Sequence, residues 1–139
     1  MIYCVFAGPF KDRRLQQMAG EFHQRLERLW PVTLLELPEK PKEMLKWLVN
    51  KEGKGRLVSL DAGGESMDSP SFAKWVTQSS QDIFFFGWGA DGPPESIRGL
   101  DMKKLSLSPM TYSHEIARVL LLEQLYRAGA ILRGHPYPR

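Results

Sequence analysis

Short apolar runs and helical stripes take turns from one end of this chain to the other. Residues 2–6 form an apolar run that stops at Gly8-Pro9, as a strand does. Residues 12–29 then place Leu15, Met18, Phe22, Leu26 and Leu29 three or four apart, which is one stripe of a helix. His23 and the interspersed arginines are expected in solvent. Residues 32–37 read as a second strand closed by Pro38. Residues 41–49 read as a second helix, with Pro41 in its first turn and Met44, Leu45 and Leu48 inward. A third strand, 56–60, ends in an Asp61-Ala62-Gly63-Gly64 turn. Ser69 is expected to cap a third helix, with Pro70 at its first position and Phe72, Ala73 and Val76 facing the core. The continuous apolar run 83–86 suits a strand buried on both faces. A Gly/Pro-rich loop covers 87–94, a fifth short strand 105–108, and the longest clear helix 113–130.

This alternation over 139 residues predicts one α/β domain, residues 1–139, with a mostly parallel sheet and helices on both faces. Ligands of such sheets sit outside the carboxyl ends of the strands. The segments 61–64, 87–94 and 109–112 are the unusual loops at those ends.

Composition narrows the function classes. A hydrophobic content of 42% with 25% charged residues is that of a globular domain. No apolar run approaches the roughly 18 residues of a membrane span, and the first residues lack the basic region of a signal peptide, so no membrane partner is expected. The single cysteine, Cys4, cannot form an internal disulfide, and the three histidines lack ligand spacing. A reducing cytoplasm and a reaction without a metal are the expectations. A net charge of +3 permits an anionic partner without demanding one.

Gly87-Trp88-Gly89-Ala90-Asp91-Gly92 matches the dinucleotide fingerprint G-x-G-x-x-G after a strand. The mechanism behind that pattern fails. Pro93-Pro94 follow the last glycine, where a helix should already offer its N–H groups to a pyrophosphate. The acidic residue expected about 20 positions later is absent. The glycines instead suit either a tight turn or a close approach of backbone to a ligand.

The last third carries a more specific pattern. Leu105-Ser106, Ser108, Met110-Thr111, His114, Arg118, Glu123, Tyr126-Arg127-Ala128 and His135-Pro136-Tyr137 follow in that order. In order and spacing they resemble the end of the RlmH (YbeA-like) family of SPOUT methyltransferases. Upstream, Arg56 to Ala73, the apolar strand before Gly87 and the Glu52-Gly53-Lys54-Gly55-Arg56 turn agree with the same family, so the match covers nearly the whole chain.

The resemblance implies a C-terminal trefoil knot and an S-adenosylmethionine pocket at the three flagged loops. It implies transfer of a methyl group to N3 of a pseudouridine in helix 69 of 23S ribosomal RNA, on the assembled ribosome. By the same resemblance the cofactor falls to Leu60, to Gly87, Trp88 and Gly89, and to Leu107, Ser108, Pro109, Met110, Thr111 and Tyr112. His135 and Tyr137 become the candidates for orienting the base or moving its proton. Arg133 and Arg139, with Arg13 and Arg14, are the candidates for RNA phosphate. Leu120, Leu121 and Leu122 leave apolar side chains on nearly every face of the last helix, which suits the homodimer that the family implies. There Arg118, Glu123 and Arg127 form either an interface network or a plain surface set. Trp88 and Pro138 depart from the family pattern, and they motivate an alternative: a weakened member that binds ribosomal RNA without modifying it.

Overall fold

The structure, a computed structural model, describes residues 1–137. Five strands and five helices alternate: β1 (Ile2–Ala7), α1 (Arg13–Leu26), β2 (Val32–Leu37), α2 (Pro41–Lys51), β3 (Arg56–Ser66), α3 (Ser69–Thr77), β4 (Ile83–Gly87), α4 (Glu95–Arg98), β5 (Lys103–Ser106) and α5 (His114–Leu132). The strands form one sheet in the order β2-β1-β4-β3-β5, and every neighbouring pair is parallel.

That order fixes where the helices lie. Parallel crossovers are right-handed, so connections that move in opposite directions along the sheet cover opposite faces. The connections β1 to β2 and β3 to β4 move one way; β2 to β3 and β4 to β5 move the other. Side-chain parity agrees. Ile2, Cys4 and Phe6 of β1 and Ile83 and Phe85 of β4 pack with α1, α3 and α5. Val5, Ala7 and Phe86 pack with Met44 and Leu48 of α2 and Ile97 of α4. Burial drives the Cys4 thiol far above its ordinary range, so it is an inert part of the core.

Several local details differ from the sequence reading, each for a physical reason. Helix α1 stops at Leu26 rather than Leu29, because Leu29 and Trp30 both turn their N–H groups back to the Leu26 carbonyl. His23 is half-buried rather than solvated, and its Nε2 donates to the Val32 carbonyl at 2.8 Å. Asp68, not Ser69, caps α3 by accepting from the Ser71 N–H at 2.8 Å. The Ser69 hydroxyl is thereby free to donate to Gln124 on α5. Strand β3 continues beyond Leu60 to Ser66, with a register shift between Leu60 and Glu65 where Asp61 to Gly64 loop out. Gly64 is required there, since a Cβ would stand 2.6 Å from the Lys104 backbone. Strand β5 ends at Ser106 rather than Ser108, because Ser106 Oγ and Ser108 Oγ both bond to local backbone and close a turn.

Helix α5 is apolar nearly all round because the protein buries it nearly all round. It lies on the sheet between α1 and α3. Gly129 admits the Trp30 indole, whose Nε1 donates to the Leu125 carbonyl at 3.2 Å.

Candidate functional site

The carboxyl ends of the strands carry an open cleft of about 270 Å³. Its walls come from the bulge of β3 (Leu60, Asp61, Ala62), the turn after β4 (Gly87 to Pro93), and the segment 107–112 with the first turn of α5. The cleft is thus built from the loops flagged in the sequence, and the crossovers of the sheet bring them together. Of the residues assigned to a cofactor, Leu60, Gly87, Trp88, Gly89, Leu107, Ser108, Met110, Thr111 and Tyr112 line the cleft; Pro109 lies beside it in the same loop without lining it.

The glycine turn is shaped by packing. A Cβ on Gly87 would stand 2.9 Å from the Phe6 ring, so the strand end can press onto the core only as glycine. A Cβ on Gly89 would meet the Glu39 carboxylate, on the side of the turn away from the cleft's far wall. Trp88 does not project across the cleft. Its indole is buried against Phe86, ring centroids 4.2 Å apart, and Nε1 donates to Ser59 Oγ at 2.6 Å.

The opposite wall is a loop with unused backbone groups. Ser106 Oγ donates to the Ser108 carbonyl at 2.8 Å, and Ser108 Oγ accepts from the Met110 N–H at 3.0 Å. Outside the sheet ladder, no backbone group of residues 107–112 bonds to another backbone group among the described residues. Polar main-chain atoms in such a position require water or a ligand. Leu60, Leu105, Leu107 and Met110 supply apolar surface beside them. A flat heteroaromatic ring with a polar edge fits this donor set, and S-adenosylmethionine carries one.

Beneath the cleft the first turn of α5 is locked to β1. Arg118 has no solvent exposure, and it donates to the carbonyls of Ala7 at 2.6 Å and Gly8 at 3.0 Å. Its guanidinium lies 5.0 Å from the centroids of both Phe6 and Phe10. Glu115 accepts from the N–H groups of Lys11 at 2.9 Å and Asp12 at 3.1 Å. Burial raises the Glu115 carboxyl, and the two backbone donors together with the charges of His114 and Arg118 outweigh it, holding it below its usual range. Arg118 therefore belongs to the interior of a single chain, where it fills the gap between the ends of β1 and β4.

The tail lies elsewhere. The Tyr137 hydroxyl donates to Glu123 Oε1 at 2.8 Å, and Arg127 donates to the same oxygen at 2.7 Å. The Tyr137 and Tyr126 ring centroids lie 4.6 Å apart, and the His135 ring lies 6.3 Å from Tyr126. Burial first, then the Glu123 carboxylate, push the Tyr137 phenol up to about 12. Ala117 lines the cleft, and Tyr126 is nine residues further along α5, roughly 13 Å at 1.5 Å per residue. Within one chain, then, His135 and Tyr137 are not brought to the cleft. Arg13 and Arg14 are exposed at the start of α1, beside the β1–α1 turn held by Glu115, and Arg14 pairs with Asp12 at 3.0 Å. Arg133 is exposed just past α5, and Arg139 and Pro138 lie outside the described residues.

Asp61, Pro93, His114 and Ala117 also line the cleft and were not assigned from sequence. His114 was visible within the matched pattern, but nothing in its spacing told which way the first turn of α5 would face. Among the described residues no group of His, Cys, Asp and Glu could hold a metal ion, and no helix is long and apolar enough to cross a membrane.

A family model described as predicted SPOUT methyltransferase matches residues 1–138. The ribosomal RNA large subunit methyltransferase H of Solibacter usitatus (strain Ellin6076) is 36% identical over 141 residues, covering 99% of each chain. A methylase-family protein of Haemophilus influenzae Rd KW20 shares the fold at a TM-score of 0.61 and 12% identity, over 99% of this chain and 70% of that one. A methyltransferase of Legionella pneumophila, solved with SAM bound, shares it at 0.52 and 16% identity, over 91% and 66%.

Proposed function

The chain belongs to the SPOUT methyltransferase family, and we propose that it methylates large-subunit ribosomal RNA with S-adenosylmethionine, at N3 of a pseudouridine in helix 69. The observation that carries this reading is the cleft, whose walls are the glycine turn after β4 and the segment 107–112, whose backbone is bonded only at Ser108 and Met110, to serine hydroxyls, outside the sheet ladder. The relative from Solibacter usitatus, named as a ribosomal RNA large subunit methyltransferase, supports the substrate class. In keeping with the family, the last helix is taken to thread the trefoil knot, and the cytoplasm, where ribosomes are found, is the proposed compartment.

When bound, the cofactor supplies a methyl group already activated by the positive sulfonium. The protein's own task is to hold the reacting atoms in line and to keep competing water out. Leu60, Leu105 and Leu107 would flank the adenine, and the backbone of 107–112 would read its edge. Lys11, Arg13 and Arg14 stand at the end of the molecule where Glu115 ties the β1–α1 turn to the cleft wall, and they would meet RNA phosphates there. A second copy of the chain would bring the tail, with His135, Tyr137, Arg133 and Arg139, to a cleft that its own chain does not offer it. The burial of Trp88 in the core favours this catalytic reading over one in which the chain only binds RNA.

Calorimetry with S-adenosylmethionine and mass spectrometry of ribosomal RNA from a deletion strain test the reading together. Micromolar binding and a missing methyl-pseudouridine are expected. Binding without any change in the RNA would turn the assignment to a binding-only member. No binding would remove the methyltransferase reading.

A further inference from the structure

We propose that His114 is the proton acceptor of the cleft. The proposal rests on the methyltransferase reading and adds to it the group that takes the proton from the ring nitrogen being methylated.

The cleft offers few bases. Its titratable lining residues are Asp61, Tyr112 and His114. A carboxylate is a weak base toward a ring N–H, and Asp61 already accepts from the Gly63 N–H at 2.8 Å. A phenol must lose its own proton before it can take another. An imidazole is the side chain suited to accept a proton and return it to water near neutrality. The tail offers no alternative within the chain, since Tyr137 donates its proton to Glu123 and His135 lies against Tyr126; the tail that a second copy would bring is assigned to orienting the base, and full activity in His114→Ala would return the proton to it.

His114 is also firmly placed. It is the first residue of α5, directly after the Ser113 cap and the cofactor-side loop. About a quarter of its side chain is exposed (24%), enough to be reached from the cleft. Its Nε2 lies 3.9 Å from Glu115 Oε2, while the other oxygen of that carboxylate is held by the Lys11 and Asp12 N–H groups. A fixed carboxylate at that distance offsets the positive charge gained when the imidazole takes a proton. The other charges around it are Arg118 one turn along α5, Lys11 and Asp12 from the β1–α1 turn, and Asp61 across the cleft.

The step balances. The ring N–H bond breaks and its proton passes to the imidazole. The nitrogen's electron pair forms the new N–CH₃ bond as the carbon–sulfur bond breaks. The sulfonium keeps that bonding pair and becomes a neutral thioether, and the proton on His114 is lost to water.

The test uses the full chain with ribosomes lacking the modification, and the variants His114→Ala and His114→Gln. Both variants are expected to bind S-adenosylmethionine within about threefold of the wild type by calorimetry. Their kcat is expected to fall about 10²-fold, with KM for the cofactor little changed, and added imidazole is expected to restore part of the rate to His114→Ala. A separate readout on the wild type needs no turnover: S-adenosylmethionine should slow carbethoxylation of His114 by diethyl pyrocarbonate at least threefold and leave His23 unaffected. Full activity in His114→Ala, or no shielding of His114, would overturn the proposal while the methyltransferase reading stands. A wild type that neither binds the cofactor nor methylates ribosomes would remove that reading and this proposal with it.

Discussion

Arg118 donates to the carbonyl of Ala7 at 2.6 Å from a side chain with no solvent exposure, and no carboxylate among the described residues lies within ion-pair distance of it. The pair joins the helix that follows the cleft to the end of a central strand. Burial lowers the guanidinium's proton affinity and the charges of Glu115, Glu36 and Glu39 oppose that shift, yet an arginine stays charged. Its job here is to supply donors to two buried carbonyls at the end of β1.

Arg118→Met keeps the packed stem and removes those donors. The buried carbonyls of Ala7 and Gly8 then lose their partners, at a cost of about 1–3 kcal/mol. Urea unfolding should show the lower midpoint with an unchanged slope.

Glu115 makes the same junction sensitive to acid. Its folded carboxyl lies below the usual range, so its contribution is present above the unfolded value and is lost as pH falls through the folded one. The gap in melting temperature between wild type and Glu115→Gln should therefore be widest near neutrality. It should close below about pH 4. A gap that stays constant to pH 3 would show that the charge of Glu115 plays no part.

At Gly129 two effects compete. Alanine in a helix interior is favoured over glycine by about 1 kcal/mol. A Cβ there, however, would stand 2.9 Å from Trp30 Nε1 and 3.2 Å from Leu29 Cβ. Overpacking of a rigid indole costs about 1–3 kcal/mol and breaks the Trp30–Leu125 bond, so Gly129→Ala should be net destabilising. Thermal unfolding gives the sign directly.

The Tyr137 phenol, pushed up to about 12, stays protonated where an ordinary phenol ionises at about 10. Its bond to Glu123 thus contributes stability below pH 10 that is lost as pH rises through 12. The difference in absorbance at phenolate wavelengths between wild type and Tyr137→Phe should be close to zero at about pH 11. A full phenolate signal there would mean that the ring is not held by Glu123.

Ile116, Ile131 and Leu132 remain exposed on α5 after the sheet, α1 and α3 have covered the rest. If two copies pair through this helix, sedimentation at micromolar concentration should give twice 15.9 kDa. A monomer across that range would leave each tail with its own chain, outside the cleft.

Sequence by itself determined the order of the five strands and of α1, α2, α3 and α5, the placement of the flagged loops at strand ends, and the family; the four-residue α4 after Pro94 was too short to leave a periodic signal. These follow from local signals: apolar periodicity, proline and glycine punctuation, and motif spacing. Boundaries slipped where a distant partner decided them. Asp68 took the cap from Ser69 while Gln124, 55 positions away, bonded the Ser69 hydroxyl. Only the tertiary structure decided that β1 and β4 lie side by side, that Arg118 turns inward to their ends, and that Trp88 faces the core. It likewise decided that His114 lines the cleft while His135 and Tyr137 rest down the helix. A helical stripe tells which side chains share a face. What that face meets is set by contacts such as Arg118 to Gly8, 110 positions apart, and no local pattern encodes a contact of that range.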